Sequence, residues 1–403
     1  MKLMPRIAII HPFGNLNSVP CLQSAIAILL EQGYWVDVFT HSGVNGSKPC
    51  FADPRVMVFT RDPTVPDSLW DIPWKLYGRQ VRQDGYFRYR HWRRPYACII
   101  AVDPHGLAQS QILQEWFSVP LVYFSLELLL SHEVVSEQDR KLKSLEVRLS
   151  RESDFVIALG EERADWLVSD NGIDASRIIC VPNAPLGAPR RQRSTFIGDK
   201  YGLSSECRII IQAGTLTAWS GIFPLLQSSR EWPDHWKLVV HARSSVDDKS
   251  AFVQALRYIC GADRLLLSGN PLPDDEYREL IRSADVGVAF YLPQTENTYD
   301  QDNLRYLGLS SGKTAYYLQA GVPILVNETD SLKKLVSEYR CGVVTKNPEH
   351  TLGSLSVIFA DYDAYCDNAV RCFELEFDFR KKFNLVLERL NLLRYEAIGR
   401  QKR

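Results

Sequence analysis

The chain has 403 residues, 45% of them hydrophobic and 24% charged, with a formal net charge of −1 and nine cysteines. At roughly 100–200 residues per domain this predicts two globular domains with an apolar core each. The balanced charge excludes a global attraction to nucleic acid. The odd, scattered cysteines without a CxxC pair exclude a zinc ribbon or a disulfide framework.

In chain order, Arg6 to Ile10 reads as a buried strand followed by the turn HPFGNLNS. Val19 to Gln32 has helical apolar spacing closed by Gly33. Strands are predicted at Tyr34 to Thr40, Val56 to Thr60, Ala97 to Val102, Pro120 to Ser125, Phe155 to Leu159 and Ile178 to Val181. Helices are predicted at Ala108–Phe117, Glu137–Arg151 and Glu161–Asn171. A Pro-, Arg-, Gly- and Ser-rich stretch follows, and the pattern then restarts. Strands are expected at Arg208 to Gln212, Lys237 to His241, Leu265 to Leu267, Val286 to Phe290 and Pro323 to Val326, with a helix at Thr314 to Ala320. A charged helical tail begins near Asp361. Near-continuous apolar strands alternating with helices imply βαβ units and parallel sheets. The expected division is 1–185, a linker 186–205, a second domain 206–375, and a tail 376–403 that returns to the first domain. The opening segment lacks the long apolar core and cleavage site of a signal peptide. No apolar run is long enough to span a membrane. The expectation is a cytoplasmic protein with reduced thiols.

Ligands of open parallel sheets bind at the carboxyl ends of the strands. Gly14 lies in the first such turn, where a glycine admits a phosphate or sugar close to the backbone, although no GxGxxG is present. Asp103, His105 and Glu127 follow adjacent strands, and a carboxylate and an imidazole there suit proton transfer or orientation of a hydroxyl. Ser310, Ser311, Gly312 and Lys313 precede a helix, and two hydroxyls, a glycine and an ammonium at a helix start make an anion site. Ordinary serine capping explains the same residues without a ligand. From Trp70 to Arg94, basic residues interleave with Trp74, Tyr77, Tyr86, Phe87, Tyr89 and Trp92, a mixture suited to an anionic membrane face. A solvated amphipathic helix is the plainer alternative.

Three segments carry a family resemblance. SDFVIALGEERADWLVSDNGIDASRIICVPNAP (Ser153 to Pro185), ADVGV (Ala284 to Val288) and KTAYYLQAGVPILV (Lys313 to Val326) resemble, in order and spacing, glycosyltransferase family 4 and its GT-B relatives. The resemblance implies two Rossmann-like parallel-sheet domains with an interdomain cleft. It implies a nucleoside diphosphate sugar held by the second domain and a glycan or lipid-linked acceptor on the first. Retention of configuration, no metal or other cofactor and a role in surface polysaccharide or glycoconjugate synthesis follow from it too, while the basic aromatic segment 70–94 adds the expectation of peripheral membrane contact. Glu127 and His105 then become the catalytic candidates, with Gly14 and Asp103 on the acceptor side. Lys313, Ser310, Ser311, Gly312, Thr215, Arg243 and Tyr316 become the donor-binding candidates.

The chain departs from the pattern at several positions. Thr215 and Ser220 stand near the family's diphosphate-binding Arg and Lys; Gly308 and Tyr316 replace its paired glutamates; Leu126 replaces its histidine. Lys313 with Tyr317-Leu318 resembles instead the galactofuranosyl-type branches that place a lysine at the helix start. A non-catalytic partner subunit and a sugar-nucleotide epimerase are the alternatives that the divergence leaves open.

Overall fold

The computed structural model describes residues 5–41, 49–61, 89–243, 245–247, 249–261, 264–293 and 301–401. The chain divides into two compact units, one running to Pro182 and resuming at Phe379, the other spanning Asn183–Asp378.

The first unit holds seven parallel strands: β1 (Arg6–His11), β2 (Trp35–His41), β3 (Val56–Arg61), β4 (Cys98–Val102), β5 (Leu121–Ser125), β6 (Phe155–Ala158) and β7 (Ile178–Cys180). Their order is β3-β2-β1-β4-β5-β6-β7. The second unit holds six: β8 (Arg208–Gly214), β9 (Trp236–Ala242), β10 (Leu265–Ser268), β11 (Val286–Ala289), β12 (Ile324–Asn327) and β13 (Gly342–Thr345), ordered β10-β9-β8-β11-β12-β13. Both are doubly wound sheets in which the strand order reverses once, between β1 and β4 and between β8 and β11, and each reversal opens a crevice at the strands' carboxyl ends. The expected Rossmann-like parallel-sheet architecture is therefore present in each unit.

Each unit has its own core. Ile10, Ala101, Leu121, Tyr123 and Val156 are fully buried in the first, and Ile210, Leu238, Val240, Val286, Val288 and Leu325 in the second. At the second reversal Gly287 of β11 lies under Tyr317, and a Cβ at Gly287 would come within 2.4 Å of that ring. The Tyr317 hydroxyl accepts the Ala213 N–H at 2.9 Å, so this tyrosine ties the helix Gly312–Gln319 to β8.

Residues 183–205 belong to the second unit and carry the helix Phe196–Tyr201, whose Ile197 is fully buried. The final helix, Phe379–Gln401, belongs to the first unit, where both Arg380 nitrogens reach the Glu31 carboxylate. Most of the basic aromatic stretch, residues 70–88, lies outside the described residues. Within its remainder, Tyr89 and Trp92 are exposed, while Arg90 pairs with Asp37 at 3.0 Å and Arg94 lies over the Trp35 ring. Those two arginines are therefore structural clamps.

Candidate functional site

The second unit's site grows from four strand ends. β8 stops at Gly214, whose φ of +135° favours glycine, and whose carbonyl accepts the Arg243 N–H from the end of β9. The following loop is held by Gln212, which donates to the Ser220 carbonyl, and by Gly221 (φ +66°), where a Cβ would come within 2.6 Å of Phe290. Thr215 is exposed at the top of this loop and Ser220 is buried beneath it. β11 delivers Tyr291. The Asn327 side-chain amide binds both its backbone N–H and its carbonyl at 2.8 Å, and Trp219 stacks on its ring at 6.1 Å.

The helix expected from Thr314 begins at Gly312, so Lys313 sits in its first turn. The Ser311 side chain caps it, accepting the Thr314 N–H and sharing short hydrogen bonds with the Tyr291 and Thr314 hydroxyls. Ser310 precedes it and turns its hydroxyl onto the Leu307 carbonyl. Both serines are thus engaged within the protein, the outcome that plain capping describes. The Asn183 side chain holds the Ser310 carbonyl at 3.0 Å, which gives the asparagine of Val181-Pro182-Asn183 a local role.

Lys313 is different. It is buried, its ammonium lies 4.2 Å from the Tyr291 ring centroid, and its one hydrogen bond among the described residues is a long 3.5 Å contact to the Phe290 carbonyl. Among the described residues no carboxylate pairs with it. Burial, then the nearby Arg243 charge, lowers its pKa to about 7. The exposed Arg243 is the second cation here. A buried lysine facing a second cation instead of an acid costs free energy unless an anion joins them. With the positive end of the Gly312–Gln319 helix, the pair can hold a phosphoryl group.

Tyr316 is buried, and its hydroxyl donates to Asp274 Oδ1 at 2.6 Å, with Arg278 over its ring. The Tyr316 hydroxyl proton is thus already committed to Asp274.

In the first unit, the helix predicted from Ala108 starts at Asp103, directly off β4. Pro104 suits a first turn, and Gly106 allows the close approach: a Cβ there would lie 2.6 Å from the Ile10 carbonyl. Asp103 is buried, with φ +59°, and its carboxylate accepts the Leu126 and Glu127 N–H groups at 2.7 and 2.9 Å. Burial, then the Glu127 charge, raises its pKa to about 7. Asp103 is therefore a buried brace for the turn after β5 instead of a cleft-facing group. Glu127 is exposed, 3.7 Å from the buried Arg163 guanidinium, which also donates to the Leu126 carbonyl. His105 is exposed and edge-on to Phe13 at 5.4 Å; Phe13 in turn packs against His11. Gly14 is half-buried in that loop and is not among the glycines with positive φ. Its turn carries instead His11, whose Nε2 meets Asn15 Oδ1 at 2.9 Å and whose pKa burial lowers to about 4, so the imidazole is neutral at pH 7. His11 and Tyr291 stand among the strand-end residues of the sequence without an assigned role, and nothing in the sequence singles out Tyr277 or Asp274. Their positions at the end of β1 and just past β11 are the signal for His11 and Tyr291.

No family model matches the chain, and no curated protein matches it in sequence. Solved structures match over nearly the whole length. Sucrose-phosphate synthase from Thermosynechococcus elongatus is 16% identical, with a TM-score of 0.69 over 98% of this chain and 100% of that one. Anabaena HepE, solved in complex with UDP-glucose, is 15% identical, with a TM-score of 0.68 over 96% and 99%. WaaG, a glycosyltransferase involved in lipopolysaccharide biosynthesis, is 13% identical, with a TM-score of 0.63 over 94% and 98%. The chain thus has the GT-B fold. Among the described residues no helix is long and apolar enough to cross a membrane.

Proposed function

We propose that the protein is a glycosyltransferase that moves a sugar from a nucleoside diphosphate to a glycan or lipid-linked acceptor. The observation that carries this reading is the buried Lys313 ammonium beside Arg243, with no carboxylate pairing it among the described residues. The structural similarity to a protein solved with UDP-glucose supports it. Lys313, Arg243 and the helix start would bind the diphosphate and stabilise it as it leaves, the main contribution such a site makes to rate. Gly312 leaves room at that helix start, and the exposed Thr215 hydroxyl would assist. Glu127 and His105 would orient the acceptor hydroxyl, braced from beneath by Asp103 and Arg163. Retention of configuration, independence from metal and a role in surface polysaccharide synthesis belong to the same proposal.

A second reading, a binding subunit without turnover, is favoured by one observation: the Tyr316 hydroxyl is committed to Asp274 where the family has a free acid. A mass-spectrometric panel of UDP-, GDP-, ADP- and CMP-linked sugars separates the two. The transferase reading expects slow hydrolysis of at least one donor and faster consumption with a glycan acceptor. Binding without consumption supports the subunit, and rapid conversion to an isomeric nucleotide sugar without acceptor would identify an epimerase instead.

A further inference from the structure

The helix Asp274–Arg282 places Tyr277 beside the carboxyl end of β9. Its ring lies 5.4 Å from His241 and meets Tyr316 edge-on at 4.9 Å and 87°. Its hydroxyl is buried and has no hydrogen-bond partner among the described residues. The polar groups around it are committed elsewhere. The Tyr316 hydroxyl and Arg278 Nε take the two Asp274 oxygens, and His241 Nδ1 meets Ser268 Oγ at 3.0 Å. Unsatisfied buried hydroxyls are costly and rare, and those that persist call for a functional account. The charged groups within electrostatic reach of this phenol are Arg243 and Asp274, and Arg243 also reaches Lys313. The helix Gly312–Gln319 carries both Lys313 and Tyr316, so the ring that meets Tyr277 lies on the same helix as the lysine. At the same strand ends as Lys313 and Arg243 stand the rings of Tyr277, Tyr316 and His241 and one buried hydroxyl without a partner among the described residues. That surface suits a hydroxylated, flat-faced group better than another phosphate.

We infer that the Tyr277 hydroxyl hydrogen-bonds the nucleoside portion of the bound nucleotide, and so sets affinity for nucleotide over bare diphosphate. This rests on the reading of the Lys313 site given above. The test is Tyr277→Phe, titrated calorimetrically with inorganic pyrophosphate and with whichever of UDP, GDP or ADP binds the wild type most tightly. The nucleotide should bind about tenfold more weakly, the loss of one well-made hydrogen bond. Pyrophosphate affinity should be unchanged. The melting temperature without ligand should hold or rise, because the hydroxyl has no partner to lose. Unchanged nucleotide affinity overturns the inference. So does an equal loss for pyrophosphate, or a lowered melting temperature with both affinities reduced. If the wild type binds none of the three nucleotides, the Lys313 reading itself fails and takes this one with it.

Discussion

Lys313→Met is expected to weaken binding of the nucleoside diphosphate by about 100-fold or more. Truncating one member of a buried charge contact costs ~2–5 kcal/mol, and here the lysine is the buried member of the cation pair. Methionine keeps the length and apolar stem, so the helix start and the Tyr291 contact surface stay filled. The same substitution should leave the free protein as stable as the wild type or more so. It removes a buried charge with no paired acid among the described residues, and replacing buried charge by well-packed apolar groups is often neutral or stabilising. Calorimetric titration and thermal melting measure the two effects separately. Near-wild-type affinity would remove Lys313 from the site, and a collapse of stability with parallel loss of affinity would make it a structural residue.

Nucleotide binding at pH 8 is expected to take up close to one proton. Lys313 titrates at about 7 in the free protein, held down by burial and by Arg243, so at pH 8 it is largely neutral. A bound diphosphate favours the ammonium and raises that value. Affinity should be greatest below pH 7 and fall up to about tenfold per unit above it, until the pH passes the raised value of the complex. The terminal phosphate itself loses its proton near pH 6, so it contributes little to the uptake at pH 8. Titration in buffers of different ionisation enthalpy counts the proton, and Lys313→Met should abolish it. Zero uptake by the wild type would contradict the assignment.

The stability of the free protein carries the same signature. The folded value of Lys313 lies below its unfolded value of about 10.4. The unfolded chain therefore holds more protons between about 7 and 10, and stability should rise with pH across that window. Asp103 works the other way. Its folded value of about 7 lies above its ordinary value, so its contribution falls as pH rises from about 4 to 7 and adds no slope above 7.

Much of the architecture is legible in the sequence because parallel strands buried on both faces are short apolar runs, and Ile7 to Ile10, Ile99 to Val102 and Val286 to Val288 are such runs. β13 was missed: Gly342–Thr345 is four residues long, and Gly342 sits where a Cβ would strike the Ile324 carbonyl, so it carries little periodic signal. The start of the Asp103 helix was missed because Pro and Gly at 104 and 106 read as a turn. In the fold the proline occupies a first-turn position and the glycine lets the helix lie against β1.

The site was legible only in part, for a related reason. Lys313 was found because a charged residue behind Ser-Gly at a helix start has a direct electrostatic meaning. What distinguishes it from Ser310 and Ser311 is burial and the lack of an acidic partner among the described residues, and both are tertiary facts. Tyr277 and Tyr291 look like core aromatics in sequence. The first matters because its hydroxyl is unsatisfied, and the second because its ring lies under the ammonium at 4.2 Å. Neither property has a local pattern. Asp103 shows the opposite case, a carboxylate at a strand end whose hydrogen bonds turn out to run inward to Leu126 and Glu127.

The proposed place of the nucleoside diphosphate is on Lys313 and Arg243 in the second unit. A crystal structure with the tightest-binding of UDP, GDP and ADP tests it most directly. Phosphate oxygens are expected within hydrogen-bonding distance of Lys313 Nζ and the Arg243 guanidinium, with the nucleoside against Tyr277. A nucleotide bound at another place, with Lys313 still facing only Phe290 and Tyr291, would contradict it.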